Sequence, residues 1–187
     1  MGLDMYLTQK FYVKNWDHMK DEEKHEISIL RGGVPSGIPT ERICYIETEE
    51  IYWRKANAIH KWFVDNVQDG VDECQDSYVS RENLEDLLSA VTEVLDGSDL
   101  VDGDVVNGYS GGTDGNGGFI EIPNIEKGKT IKDTSVAERI LPAGGGFFFG
   151  STDYDQWYYE DLERTKRELE RILSEPDIGT FYYHSSW

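Results

Sequence analysis

Basic residues, cysteines and long apolar runs are scarce in this sequence. Its 18 Lys and Arg residues face 37 Asp and Glu residues, so the formal net charge is -19. Cys44 and Cys74 have no CxxC spacing, and two isolated cysteines make neither a disulfide framework nor a zinc site. No apolar run reaches membrane-spanning length, and the first ten residues lack a signal-peptide pattern. We therefore expect a cytosolic chain with reduced thiols and no membrane partner.

Recognisable motifs for metal, phosphate and nucleophilic chemistry are also missing. The P-loop pattern before Lys129 fails because Pro123 stands where its first Gly is needed, and the Gly-rich segment from Gly145 to Thr152 lacks the Lys. The metal-ligand residue types match no spacing such as HExxH. They are His60, Asp65, Asp69, Asp72 and His184. We therefore expect no metal, no cofactor and no catalytic residue that a motif can identify.

What the chain does contain is enough apolar and aromatic surface for one core. Hydrophobic residues make up 38% and aromatic residues 12%, which disfavours wholesale disorder in 187 residues. Strand-like and helix-like segments mix without a regular βαβ alternation. We therefore predict a single α+β domain over residues 1–187, with a mostly antiparallel sheet and three to four helices on one face.

Local patterns place the elements of this domain. Period-two alternation and aromatic or β-branched runs predict strands at residues 3–13, 42–53 and 180–187, with a further aromatic strand within 143–153. Capping residues and apolar spacing predict helices at residues 17–30, 55–68, 80–96 and 155–173. Residues 97–134 contain nine glycines and few apolar groups, which predicts either a flexible loop or a Gly-rich hairpin.

One segment concentrates cations in this acidic chain. Arg54 and Lys55 precede a predicted helix N-terminus, where an anion is favoured by the dipole and by unpaired amides. The hypothesis is a small anion-binding pocket with tryptophan walls, aided by the hydroxyls before the last helix. Its residues are Trp53, Arg54, Lys55, Asn57, His60, Lys61, Trp62, Ser151 and Thr152. The alternative is that the cations pair with carboxylates, the tryptophans fill core and the hydroxyls only cap.

A second candidate is an acidic face. Between Asp65 and Asp104 the chain has thirteen acidic residues and one basic residue, Arg81. Such a surface repels phosphate backbones and attracts basic surfaces, including the nucleic-acid channels of other proteins. The candidate partner-binding residues are Asp65, Asp69, Asp72, Glu73, Asp76, Glu82, Glu85, Asp86 and Glu93. The alternative is that the charge serves solubility alone.

Three blocks of sequence carry a resemblance. They are the MGLDMYL start, the central YWRKANAIHKWFVDNVQDGVDEC, and GFFFGSTDYDQWYYEDLERT with the terminal FYYHSSW. Together they resemble an uncharacterised family of small bacteriophage and prophage proteins. The resemblance implies a phage origin and a location in the host cell cytoplasm, and it implies no reaction. The stretch from Gly97 to Thr134 departs from the family pattern, so nothing carries over to it.

Three functions are compatible with these observations. The first is a phage-encoded accessory protein that binds and inhibits a host protein, such as a nucleic-acid-binding CRISPR or restriction enzyme, through its acidic surface, without binding nucleic acid itself. The second is a protein that sequesters a signalling nucleotide near Arg54. The third is a hydrolytic or modifying enzyme with His60 as general base and Asp65 orienting it. The first two require no catalysis.

Overall fold

The computed structural model describes residues 2–113, 117–146 and 150–187, and these form an α+β fold. Within these residues, none of the helices has the length and apolar content needed to cross a bilayer. The strands are β1 (Asp4–Tyr12), β2 (Leu30–Arg31), β3 (Val34–Pro35), β4 (Tyr45–Arg54), β5 (Ser77–Val79), β6 (Leu100–Thr113), β7 (Phe119–Ile131) and β8 (Thr180–Ser186). The helices are α1 (Asn57–Asn66), α2 (Arg81–Asp96), α3 (Ser135–Ile140) and α4 (Gln156–Ser174).

The central sheet has the strand order β4-β1-β8-β5, and all of its pairings are antiparallel. Side chains alternate between its two faces because the strand period is two. Leu3, just before β1, and Met5 and Leu7 on β1 are fully buried. The register places Leu7 beside Ile51 on one side and Tyr183 on the other. The inner face is therefore a continuous apolar surface contributed by both ends of the chain.

The helices cover that inner face. Ser80 caps the N-terminus of α2. Its Oγ accepts a hydrogen bond from the Asn83 amide at 3.1 Å, which satisfies an otherwise unpaired N–H of the first turn. The buried α2 residues Leu84, Leu87 and Val91 repeat at helical spacing and join the same core as the sheet. The α+β prediction with a mostly antiparallel sheet is confirmed.

One predicted helix is wrong. Residues 17–30 contain only a single 3-10 turn, Asp21–Glu23, with no buried residue. The segment has almost no apolar stripe, and helices in proteins depend on packing such a stripe against a core. Its chain is instead held by local contacts such as the reciprocal hydrogen bonds between Asn15 and His25, both 2.8 Å. The predicted aromatic strand within 143–153 includes residues 147–149, which lie outside the described residues.

The Gly-rich stretch is a hairpin, the second of the two forms considered. β6 and β7 pair with each other and make a long two-stranded ribbon, with a register shift between Val106 and Tyr109. Near the end of β7, Thr130 also forms an isolated antiparallel bridge with Asp155. At its base the ribbon lies close to α4, since a Cβ on Gly128 would meet Gln156 Oε1 at 2.8 Å and Val105 Cγ2 at 2.7 Å. Absence of a side chain at Gly128 is what lets the ribbon approach the helix.

We predict that Gly128→Ala loosens this contact. The added methyl group requires a shift of Val105 or of Gln156, and overpacking of this kind costs about 1–3 kcal/mol of unfolding free energy. Urea unfolding measures the loss, and amide hydrogen exchange should rise at the base of β6 and β7. Gly145→Ala is the matched control, because a Cβ there meets nothing within 4 Å. Equal stability of the two variants would contradict the close approach.

Candidate functional site

A cleft of about 680 Å³ opens where four parts of the chain meet. They are the turn between β4 and α1, the middle of the ribbon, the segment that precedes α4, and the first two turns of α4. Among its lining residues are Arg54, Lys55, Asn57 and Ser151. The structure therefore brings four of the nine predicted ligand-binding residues to one cavity.

The two cations lie in the turn from β4 to α1. Arg54 and Lys55 are both exposed, and Lys55 has a positive φ of 60°, an uncommon conformation for a residue other than Gly. The turn is held in place because the Lys55 amide donates to the Leu3 carbonyl at 2.8 Å, and the Lys55 carbonyl accepts from the Asn57 amide at 2.8 Å. The backbone therefore fixes where these cations leave the sheet.

Asn57 positions the wall of the cleft. Its side chain is 5% exposed; its Nδ2 donates to the Ser151 carbonyl at 2.6 Å and its Oδ1 accepts from the Gly144 amide at 3.2 Å. A single amide group thus holds two points of the segment before α4 against the start of α1. We interpret Asn57 as a positioning residue for the cleft.

Two carboxylates of the cleft have raised pKa values. Asp155 caps α4, because its Oδ1 accepts from the amides of Trp157 at 2.9 Å and Tyr158 at 3.2 Å. Its Oδ2 is buried and has no hydrogen-bond partner among the described residues. Burial raises the pKa of Asp155, although the two amide hydrogen bonds oppose the rise.

Asp161 is the more strongly affected of the two. Burial raises its pKa to about 7, the negative charges of Glu160 and Asp155 add to the rise, and Arg164 opposes it. At neutral pH the carboxyl group of Asp161 is therefore about half protonated, and it can donate or accept a hydrogen bond. A strongly perturbed pKa in a cleft is a physical indicator of a functional site.

Aromatic surface in the cleft comes from residues that the sequence analysis did not select. The half-buried Trp157 and the exposed Tyr109 both line it. Tyr158 also lines it, but its hydroxyl donates to the Leu141 carbonyl at 2.8 Å, and burial raises its pKa. Among the described aromatic residues of the cleft, Trp157 and Tyr109 are thus the rings that remain accessible to a ligand.

The predicted tryptophan walls do not form. Trp53 is fully buried, and its Nε1 donates to Thr165 Oγ1 at 2.8 Å. Trp62 packs edge-on against Phe63, with ring centroids 5.3 Å apart. Both tryptophans belong to the core or its border, as the alternative interpretation held. The exposed Thr152 is not among the residues that line the cleft.

His60 is part of the core as well. It is 2% exposed, its Nδ1 lies 2.7 Å from the Tyr183 hydroxyl, and its Nε2 lies 2.9 Å from Asp72 Oδ2. Asp65, the residue expected to orient His60, instead pairs with Lys61 at 2.7 Å. This geometry gives His60 a structural role, because both ring nitrogens are engaged inside the protein.

Apart from Asp65, the acidic candidates lie on α2 and in the loop between α1 and β5. Four of them lie on the exposed side of α2 and point away from the sheet: Glu82, Glu85, Asp86 and Glu93. Asp76 instead pairs with the outward-facing His184 of β8 at 3.3 Å. Asp69 and Glu73 are exposed in the loop after α1, while Asp72 is partly covered and accepts from Trp187 Nε1 at 3.2 Å.

Sequence reasoning missed Asp161 and Trp157, and for Asp161 a signal was present. On α4, Tyr158, Leu162 and Thr165 are buried at helical spacing. Asp161 is three residues after Tyr158 and four before Thr165, so it lies on the apolar stripe, where a carboxylate is costly to ionise. An acidic residue on the buried side of an amphipathic helix is the pattern that would have identified it.

No match is found in comparisons of the chain with protein-family models, with curated proteins and with solved structures. Within the described residues, no group of three or more His, Cys, Asp and Glu side chains is arranged to hold a metal ion. What the cleft can bind is therefore inferred from its charges, its rings and the pKa values of its carboxyl groups.

We predict that Asp161 makes stability fall as the pH rises. Its pKa is about 7 in the folded protein against 3.8 ordinarily. Between these values the folded state binds more protons than the unfolded state, so unfolding free energy decreases with rising pH. Asp161→Asn removes that decrease. Its thermal midpoint should exceed that of the wild type by at least about 3 °C above pH 7, with no such gain at pH 4.

The matched control is Asp86→Asn, which removes the same charge from the exposed side of α2. Thermal unfolding from pH 4 to pH 8 compares the three proteins in the same buffers. If the thermal midpoints of Asp161→Asn and the wild type change in parallel with pH, the Asp161 carboxyl group has an ordinary pKa in the folded protein.

Proposed function

We propose that the cleft binds a nucleotide-type ligand and that the protein sequesters it. Support comes from the half-protonated carboxyl group of Asp161 in a cavity that also contains Arg54 and Lys55. A nucleotide has matching parts: a phosphate for the cations, ring edges that donate and accept hydrogen bonds for Asp161, and a flat ring for Trp157 and Tyr109.

The charged side chains that line the cleft limit which nucleotides it can bind. The cleft is lined by two cations and by five acidic side chains, which are Glu121, Asp153, Asp155, Glu160 and Asp161. A ligand with three or four phosphate charges is repelled by that excess, whereas one with one or two charges is matched by Arg54 and Lys55. We therefore favour cyclic nucleotides, cyclic dinucleotides and nucleoside monophosphates over triphosphates.

Calorimetry with purified protein tests the proposal. The ligands are a cyclic mononucleotide, a cyclic dinucleotide and ATP, and we expect at least one of the first two to bind more tightly than ATP. Arg54→Gln removes a charge-assisted hydrogen bond to phosphate, so affinity should fall about ten-fold or more. Arg139→Gln is the control, since it removes an equal charge from a residue that pairs with Glu93 on α2.

Two results would contradict this function. One is the absence of binding by every nucleotide of the set to a folded, monodisperse protein. The other is equal loss of affinity in Arg54→Gln and Arg139→Gln, which would indicate a general charge effect. The position of His60 does not favour a role as general base, because its ring is enclosed by Tyr183 and Asp72.

A second candidate function is favoured by the surface of α2. Its exposed carboxylates at Glu82, Glu85, Asp86 and Glu93 extend over about 16 Å of helix, given a rise of 1.5 Å per residue. Only Glu93 makes an ion pair within the described part of the chain. This stripe suits a phage accessory protein that blocks a basic nucleic-acid channel of a host defence enzyme in the host cytoplasm.

Charge reversal tests this second function. Glu82→Lys combined with Glu85→Lys and Asp86→Lys should abolish retention of basic host proteins from a lysate at low salt, because the attraction becomes repulsion. Glu22→Lys with Glu23→Lys and Glu26→Lys gives the same net charge on a different exposed segment. If both triple variants lose the same proteins, the α2 stripe is not the binding surface.

A further inference from the structure

The face of the central sheet opposite the helices carries a group of aromatic side chains. By strand register, Tyr6 lies beside Tyr52 on one side and His184 on the other, and Tyr182 lies beside Tyr78. These five residues alternate with the buried inner positions, so they point outward. We call them the tyrosine face.

The rings of the tyrosine face are accessible in part, because Tyr6, Tyr52 and Tyr182 are half-buried. Tyr6 lies 5.3 Å from Tyr52 and 6.1 Å from His184 between ring centroids. Tyr78 is 62% exposed, and the His184 side chain is 41% exposed. Helices α1, α2 and α4 bury their apolar residues on the other side of the sheet. The tyrosine face is thus an aromatic surface on the side of the sheet opposite these helices.

Acidic groups surround these rings. Asp4 accepts a hydrogen bond from the Tyr52 hydroxyl, and Asp76 pairs with His184 at 3.3 Å. Glu47 and Glu49 lie on β4 in register with the outward positions of β1. Carboxylates next to the negative faces of aromatic rings create an environment that favours a cation and repels a phosphate.

The protein already places one cation on this surface. Lys10 Nζ lies 4.6 Å from the centroid of the Tyr182 ring, and it also lies 3.8 Å from Glu47 Oε2. Ring and carboxylate together hold this ammonium group. Tyr6 and Tyr52, next to Asp4, repeat the combination of ring and carboxylate. The nearest cation on β4 is Arg54, which is in register with Asp4 and is exposed.

We propose that the tyrosine face binds an extended, arginine-bearing segment of a protein partner. A guanidinium group stacks on an aromatic face and pairs with a carboxylate at the same time, which suits the neighbouring Tyr6, Tyr52 and Asp4. A second copy of the chain is disfavoured as occupant because each copy has a net charge of -19. Nucleic acid is disfavoured by the same charge.

Fluorescence anisotropy with a labelled octapeptide of alternating Arg and Ser tests the proposal. The isosteric peptide with citrulline in place of Arg is the neutral probe, and it should bind far more weakly. Tyr6→Thr combined with Tyr52→Thr removes two rings, places β-branched residues that favour strands at both positions and leaves the net charge unchanged. We expect affinity for the Arg peptide to fall about five-fold or more.

Two further variants keep the test decisive. Tyr78 lies on the edge strand of the sheet and is exposed, so Tyr78→Thr should weaken binding of the Arg peptide without disturbing the core. This variant replaces the double variant if the double variant does not fold. Phe119→Thr removes an exposed ring of the ribbon and should leave the affinity unchanged.

Three results would overturn the proposal. The first is an unchanged affinity for the Arg peptide in the folded double variant Tyr6→Thr/Tyr52→Thr, which would mean that the peptide binds elsewhere by charge alone. If the double variant does not fold, an unchanged affinity in Tyr78→Thr has the same meaning. Binding of an oligothymidylate that these variants lose would assign the rings to nucleic acid. A dimer in sedimentation that the variants dissociate would assign the face to a second copy.

Discussion

The stacking of Phe63 on Tyr183 is the contact on which the functional part of the structure depends. The ring centroids are 4.0 Å apart with an interplanar angle of 8°, and both residues are fully buried. Phe63 belongs to α1 and Tyr183 to β8, so this contact joins the first long helix to the centre of the sheet. The Tyr183 hydroxyl continues the connection through His60 to Asp72.

The position of α1 in turn sets the cleft. The turn before α1 carries Arg54 and Lys55, and Asn57 at its start holds the chain at Gly144 and Ser151. The same segment leads into Asp155 and α4, where Asp161 meets the cavity. The apolar stack in the core and the charged cleft at its border therefore both depend on the position of α1. A change that rotates α1 alters both of them.

The two sides of the sheet differ in chemistry because they differ in what covers them. Inner positions such as Met5 and Leu7 are sealed by helices, whereas outer positions such as Tyr6 and Tyr182 keep both an apolar ring and a polar hydroxyl available. The acidic stripe of α2 lies on the far side of the helical layer from the tyrosine face. The described part of the chain thus has an acidic surface on α2, an aromatic surface on the sheet and a cleft beside α4, in three separate places.

The sequence by itself determined the elements whose patterns are local. Alternation along β1, the capping of α2 by Ser80 and the glycines of residues 97–134 were sufficient to predict a strand, a helix and a candidate hairpin. The segment 17–30 was misread because a capping residue and a run of charges do not form a helix without an apolar stripe to bury. Arg54, Lys55, Asn57 and Ser151 were selected from their residue types, and the structure brings them to one cavity.

Only the tertiary structure decided what each of those side chains does. Tryptophans 53 and 62 pack into or against the core instead of lining a pocket, and His60 is enclosed by partners that are distant in sequence. Asp161 has a raised pKa chiefly because folding removes water from it. The helical pattern of α4 indicates that its position lies on the apolar stripe, but the degree of burial is a property of the packed chain and depends on residues that are distant in sequence.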